Sequence, residues 1–301
     1  MTQRRILRVS MRLVIFLCGT GGSLLLSCGS RTGLLVEDAA NVDSAGETPI
    51  DSGIDVQPPD ALTADCGPGN LVYANSTTSL FTLDLTTTHL TTLGTFADES
   101  GRAIDDMMDI ALNTEGRMFG VSPSLTYEID YRSRPLLARR LGVTSPVVLN
   151  SLAFVPGNLL SPLRLSDQLF GADALGHWWL EDPPGSPPLA RGGFGPGLVS
   201  SGDLFSGDAG TFAVLSVAGS SDHLATIDPN TGVVTHDLGA TGVRELWGLA
   251  GIHGRLLGFA HSGSVYELSS TSGAATLFRT DGADGVGWWG AGAPPADMTC
   301  P

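Results

Sequence analysis

The chain has 301 residues, 42% of them hydrophobic and 16% charged, with 40 glycines and 18 prolines. That suffices for one large core or two modest ones, and the lack of 3.6-residue periodicity beyond the first thirty residues argues against a helical bundle and for many short strands joined by turns. A formal charge of −15 speaks against nucleic acid and anionic lipid as partners, because such a surface repels both.

The first element is an export signal. Residues 1–12 carry Arg4, Arg5, Arg8 and Arg12 and no acid, and residues 13–26 read LVIFLCGTGGSLLL. A basic stretch followed by a short apolar one has the form of a secretory signal and is too short for a comfortable membrane span. Leu25-Leu26-Ser27-Cys28 follows. It resembles the lipobox of bacterial lipoproteins, which implies cleavage of residues 1–27 and lipidation of Cys28. Several acyl chains anchor stably where one does not. Gly29 in place of aspartate after the cysteine implies, by the same resemblance, the outer membrane. Without the four signal arginines the chain keeps 12 arginines against 31 acids, a charge of −19.

Residues 28–65 read as a tether. They hold Glu37, Asp38, Asp43, Glu47, Asp51, Asp55, Asp60 and Asp65 with Pro49, Pro58 and Pro59. Low hydrophobicity and one-sided charge cannot offset the entropy of ordering, so the segment is expected to be disordered and extended. Asp51, Asp55 and Asp60 lack the alternating spacing of an EF-hand loop.

Residues 66–301 read as one repeat domain. The stretch from Glu245 to Thr280 has four short apolar runs separated by His253-Gly254, Ser262-Gly263 and Ser272-Gly273, a pattern predicting an antiparallel meander. Similar units begin near Asn70, Met108, Ser151 and Gly202. The first lacks its leading strand, and the third carries an insertion from Gly157 to Asp167. A lone run, Val286–Ala293, follows the fifth unit, its Trp288-Trp289-Gly290 echoing Leu246-Trp247-Gly248. Anchor points at Asp109, Ser151, Gly202, Trp247 and Trp288 lie 42, 51, 45 and 41 residues apart. Four strands per unit at that period predict an all-β propeller of about five four-stranded blades, in which the last strand supplies the strand missing from the first. A β-sandwich explains neither the period nor the lone last strand. The run from Leu224 to Gly232, LATIDPNTG, resembles the repeat unit of bacterial extracytoplasmic β-propellers, with weaker copies at Tyr127–Asp130 and Tyr266–Leu268. Quinoprotein propellers carry a regular tryptophan motif in every blade, and this chain does not.

Two cysteines, Cys66 and Cys300, flank the repeat domain. In an exported chain that placement reads as a disulfide, and a propeller brings its two ends to one blade. The six histidines show no ligand spacing, and no GxSxG is present. The candidate site comes from topology. Loops joining one blade's last strand to the next blade's first surround the mouth of the central channel. Two such loops flank the first blade and carry Asp98, Glu99, Asp105, Asp106, Asp281 and Asp284. Their oxygens could hold calcium or magnesium, or attract a basic partner. Trp178-Trp179 and Trp288-Trp289 are the other candidates: strand alternation sends one ring of each pair into the core and leaves the other to stack on a sugar or peptide. No organic cofactor is expected. The favoured reading is a non-catalytic binding or protein-interaction scaffold, lipid-anchored at the outer membrane on its periplasmic face or at the cell surface. Its partner would be an envelope protein or a glycan. The alternatives are a metal-dependent hydrolase of the propeller lactonase type and a carbohydrate-binding propeller.

Overall fold

The computed structural model describes residues 69–142, 144–280 and 287–294. The signal, Cys28, the tether, Cys66, Cys300, Asp281 and Asp284 lie outside the described residues.

Five antiparallel blades stand around a common axis. Blade 1 contains β1 (Leu71–Asn75), β2 (Ser79–Asp84) and β3 (Leu90–Ala97). Blade 2 contains β4 (Asp109–Leu112), β5 (Met118–Val121), β6 (Thr126–Asp130) and β7 (Leu136–Leu141). Blade 3 contains β8 (Leu149–Val155), β9 (Gln168–Asp173), β10 (His177–Glu181) and β11 (Leu189–Gly193), with the helical turn α1 (Gly157–Leu160) inside its insertion. Blade 4 contains β12 (Val199–Gly207), β13 (Gly210–Ser216), β14 (His223–Ile227) and β15 (Val234–Ala240). Blade 5 contains β16 (Leu246–Ile252), β17 (Arg255–Ala260), β18 (Val265–Leu268) and β19 (Ala275–Arg279). The last strand, β20 (Gly290–Gly292), returns to blade 1 and pairs antiparallel with β1, Tyr73 opposite Gly292 and Asn75 opposite Gly290. The predicted closure is therefore present. It is shorter than the apolar run Val286–Ala293 that announces it.

The inner strands β4, β8, β12, β16 and β20 pack on one another in a closed cycle. They are apolar on both faces because both faces are covered; β4 and β5 are buried at every position. The outer strands β3, β11, β15 and β19 are largely exposed. The core divides into clusters that each bridge two neighbouring blades. Phe119 and Phe154 meet between blades 2 and 3, Trp178 and Leu204 between blades 3 and 4, and Phe259 and Trp288 between blades 5 and 1.

Two features are absent from the sequence pattern. Strand β3 continues past its own hairpin and pairs in parallel with β7, Phe96 opposite Leu136 and Ala97 opposite Leu137, so blades 1 and 2 form one eight-stranded sheet. The turn joining the third and fourth strands of a blade also docks on the outer strand of the blade before it. Gly185 lies against Leu141 and Gly142, Thr231 against Gly192, and Gly273 against Gly239.

These rim turns explain the repeated aspartate in the LATIDPNTG-like segments. Asp84 accepts the amides of Thr86 and Thr87, at 2.7 and 3.2 Å. Asp130 does the same for Arg132 and Ser133. Asp228 accepts the Asn230 amide at 2.9 Å and the Thr231 hydroxyl at 2.8 Å. In blade 5 the hydroxyl of Ser269 takes this place. The aspartate is a turn former that caps its own backbone.

Candidate functional site

The inner strands begin at one face, here called upper, and end at the lower face. At one level of the axis, equivalent inner-strand positions hold Asp109, Ser151, Asp203, Gly248 and Gly290. Asp109 and Asp203 are fully buried. Asp109 accepts the amides of Ile110 at 2.7 Å and of Leu152, on the next blade, at 2.5 Å. Asp203 accepts those of Leu204 at 2.6 Å, Leu249 at 2.7 Å and Ala291 at 3.1 Å. Two carboxyl groups thereby tie inner strands of all five blades together. Burial raises the pKa of both above the usual carboxylate range. For Asp109 the neighbouring Asp203 charge adds to burial. Gly290 is required here: a Cβ would fall 2.1 Å from Asp109 Oδ1. Asn75 is buried beside them and donates to the carbonyls of Met107 and Ser76, while its Oδ1 accepts no hydrogen bond.

Below this pair the axis is filled by Ile110, Leu112, Leu152, Leu204, Leu249 and Ala291, leaving a cavity of about 10 Å³. That is room for no more than about one water molecule.

At the upper face, above the aspartates, three rings gather. Trp247 lies near the start of β16, His261 just after β17 and Trp289 just before β20. All three are half-buried. The Trp247 and His261 ring centroids are 3.8 Å apart at 31°. Trp289 presents its edge to both, at 5.0 Å from Trp247 and 5.8 Å from His261. Offset and edge-on contacts of this kind satisfy the ring quadrupoles and stabilise the group. His261 is fixed further by Nδ1, 3.2 Å from the Trp288 carbonyl, and by its amide, which donates to the Glu245 carbonyl at 2.8 Å. Glu245 itself has φ of +57°, an uncommon backbone state for a residue with a Cβ. The cluster is a rigid, partly exposed aromatic surface at the channel mouth, suited to stacking on an apolar face.

The tryptophans named from the sequence separate into two kinds. Trp178 and Trp288 have no exposed surface. The indole of Trp178 donates to the Pro229 carbonyl at 2.9 Å and stacks on Phe170, and that of Trp288 donates to Gly263 at 2.8 Å. Trp179 is half-buried and donates to Asp173 at 3.2 Å. Only Trp289 of the four joins the upper cluster, and its partners Trp247 and His261 were not among the candidates. The signal for them was present in the echo between Leu246-Trp247-Gly248 and Trp288-Trp289-Gly290, which places both rings at equivalent strand positions.

The acidic loops look different from a metal centre where they are described. Asp98 accepts the Ser100 amide and hydroxyl, at 2.9 and 2.6 Å, and the Arg102 amide at 2.9 Å. These bonds, the Ser100 hydroxyl first, hold its carboxyl below the usual range. Glu99 pairs with Arg139 at 3.2 Å, and Asp105 and Asp106 are exposed. Among the described residues no three histidine, cysteine, aspartate or glutamate side chains gather in a way that could hold a metal ion.

No protein-family model matches the sequence, and no curated protein matches it. Solved structures similar to it include a chain of a nidogen/laminin complex, at 13% identity and a TM-score of 0.46, covering 74% of this chain and 80% of that one. A protein of unknown function from Bacteroides caccae is similar at 10% identity and a TM-score of 0.40, over 69% of this chain and 72% of that one.

Proposed function

We propose that the chain is a lipoprotein of the outer membrane, anchored through Cys28, whose propeller binds a partner and performs no chemistry of its own. The observation that carries the binding reading is the filled axis. A metal-dependent propeller hydrolase needs a channel in which ligands and substrate meet. Here that space is occupied by aliphatic side chains and by two carboxyl groups already committed to backbone amides. An exposed surface suited to recognition is the upper aromatic cluster. Trp247, His261 and Trp289 would stack on the apolar face of a sugar ring or of a partner's side chain, with no charge needed.

The anchor reading rests on the LLSC motif and the basic-apolar stretch before it. Both ends of the described chain fit a covalent tie between Cys66 and Cys300. β1 and β20 are antiparallel neighbours, with Tyr73 opposite Gly292, so the described chain starts and stops in one blade.

Metabolic labelling with an alkynyl fatty acid tests the anchor. The protein is expected to take label and sediment with membranes, and Cys28→Ser is expected to lose both. An unlabelled wild type would end the lipoprotein reading. For the propeller, fluorescence titration with envelope glycans and with purified envelope proteins is expected to give a ligand whose binding Trp289→Ala and Trp247→Ala abolish. The hydrolase reading is tested by calorimetry with calcium or magnesium. Heat that disappears in Asp105→Asn would favour a cation held by Asp98, Glu99, Asp105, Asp106, Asp281 and Asp284 over the binding reading.

A further inference from the structure

The insertion of blade 3 is the least expected part of the lower face. Among the described residues, Leu163 and Leu165 are the most exposed large apolar side chains, at 92% and 97%. Both line the rim of a large open hollow of about 890 Å³, together with Phe119, Phe154, Glu115 and Pro183, and both are left almost wholly in solvent. The segment that carries them is held in place. The Ser161 amide donates to the Gly157 carbonyl at 2.9 Å, and the Arg164 amide to the Ser161 carbonyl at 3.0 Å. The loop folds back so closely that a Cβ on Gly157 would meet the carbonyl oxygens of Ser166 and Arg164. At its end, Asp167 accepts the amide and hydroxyl of Thr114 on blade 2, at 2.9 and 2.7 Å. Gln168 and Arg164 both reach Asp182. The leucines are thus presented by a braced protrusion.

Topology says what lies below. The insertion joins an inner strand to the second strand of its blade, so it sits on the face where inner strands end. The same face emits both ends of the described chain. β1 starts there and β20 stops there. Gly69 contacts His253 of the blade 5 lower hairpin, and Pro294 lines a cavity with His253 and Asp208. The described chain therefore begins, at Gly69, on the face that carries the two leucines, whereas Trp247, His261 and Trp289 occupy the opposite one.

We infer that Leu163 and Leu165 dock the propeller onto the lipid bilayer that holds its anchor. This rests on the lipoprotein reading. Leucines that would be costly to leave in water enter the headgroup boundary, with Arg164 between them at the level of the lipid phosphates. Of the acids on the same hollow, Asp167 is held by Thr114 and Asp182 by Gln168 and Arg164, so these two oppose the approach less than free carboxylates would, while Glu115 is exposed. Two side chains would not hold a free protein to a membrane. A lipid tether makes the contact intramolecular and supplies the effective concentration. The consequence is a preferred orientation: lower face on the membrane, aromatic cluster pointing away from it.

The test is hydrogen exchange of the mature acylated protein in phosphatidylethanolamine–phosphatidylglycerol vesicles, set against the Cys28→Ser chain in solution. Amides of residues 161–166 are expected to exchange more slowly on vesicles while those around Trp247 do not change. Leu163→Ser and Leu165→Ser are each expected to cut the docked-to-undocked ratio by about tenfold, with an unchanged melting curve showing that the fold survives. Protein that floats with vesicles but shows no protection overturns the docking and leaves the anchor reading intact. Protein that does not float overturns the anchor reading and the docking with it. Protection that survives in the double leucine variant, or that appears in native membranes and not in pure lipid, assigns the loop to another occupant and also overturns the inference.

Discussion

Aspartate does two opposite jobs in this ring, one at the axis and one at the rim. At the rim, Asp84, Asp130 and Asp228 accept amides of their own turns at the protein surface. At the axis, Asp109 and Asp203 accept amides from other blades with no water at all. The hydrogen bonds have similar lengths in both places. The surroundings decide the outcome: backbone amides lower the Asp84 carboxyl below its ordinary range, while burial raises Asp109 and Asp203 above theirs. The same residue type stabilises a local turn in one setting and joins elements far apart in sequence in the other.

The comparison breaks most clearly at Asp203. Asp203→Ala leaves the buried amides of Leu204, Leu249 and Ala291 without an acceptor, and is expected to cost about 3–5 kcal/mol in urea unfolding. A loss below about 1 kcal/mol would mean that the axial pair does not hold the ring.

The next effect is on pH dependence. The axial carboxyls bind protons more tightly folded than unfolded. Their contribution is complete below the unfolded value of about 4 and is lost as pH rises through the folded values. Asp84 and Asp98 have the opposite sign: their contribution is present above the unfolded value and is lost as pH falls through their lowered ones. Stability is therefore expected to peak on the mildly acidic side and to decline toward alkaline pH. Asp203→Asn is expected to flatten the alkaline limb and leave the acid limb alone. A wild-type curve that rises from pH 5 to pH 8 would contradict the upward shift of the axial carboxyls.

A smaller loss is expected at the rim. Asp228→Ala removes two hydrogen bonds exposed to water, and is expected to cost about 1 kcal/mol. Because that turn rests on blade 3 and its Pro229 carbonyl receives the Trp178 indole, a matching red shift of tryptophan emission is expected. The smallest effect is expected at Leu163→Ser with Leu165→Ser, within about 0.5 kcal/mol, since both are exposed in the isolated protein.

The ring was legible in the sequence because each blade repeats the same local chemistry. Alternating apolar strands, glycine turns and the Asp228-type cap recur at a near-constant interval, and the lone strand at Val286–Ala293 has no place except the gap in blade 1. The axial pair was not legible in the same way. Asp109 and Asp203 share a level only once blade 3 is laid between them, and a burial of that kind leaves no periodic trace. The repeat period itself, from Asp109 to Gly202, falls within one residue of the pair. The eight-stranded sheet was out of reach, because the parallel contact of Phe96–Ala97 with Leu136–Leu137 is two residues long and follows no pattern. Trp289 was readable as the outward ring of its pair, whereas its neighbours Trp247 and His261 come from elements that only the closure brings beside it.

The closure by β20 also determines how the molecule answers a pull. The chain enters the ring through β1, and β1 is not an edge: it is hydrogen-bonded to β2 along its whole length and to β20 on its other side. A force applied through the N-terminal segment runs along that strand and loads both ladders in shear, so many hydrogen bonds must fail together before the strand slips. Had the ring been closed by an N-terminal strand, that outermost partner would itself have carried the load and peeled first. Sealing the seam with the C-terminal strand keeps the load-bearing β1 inside its sheet, flanked by β2 and β20.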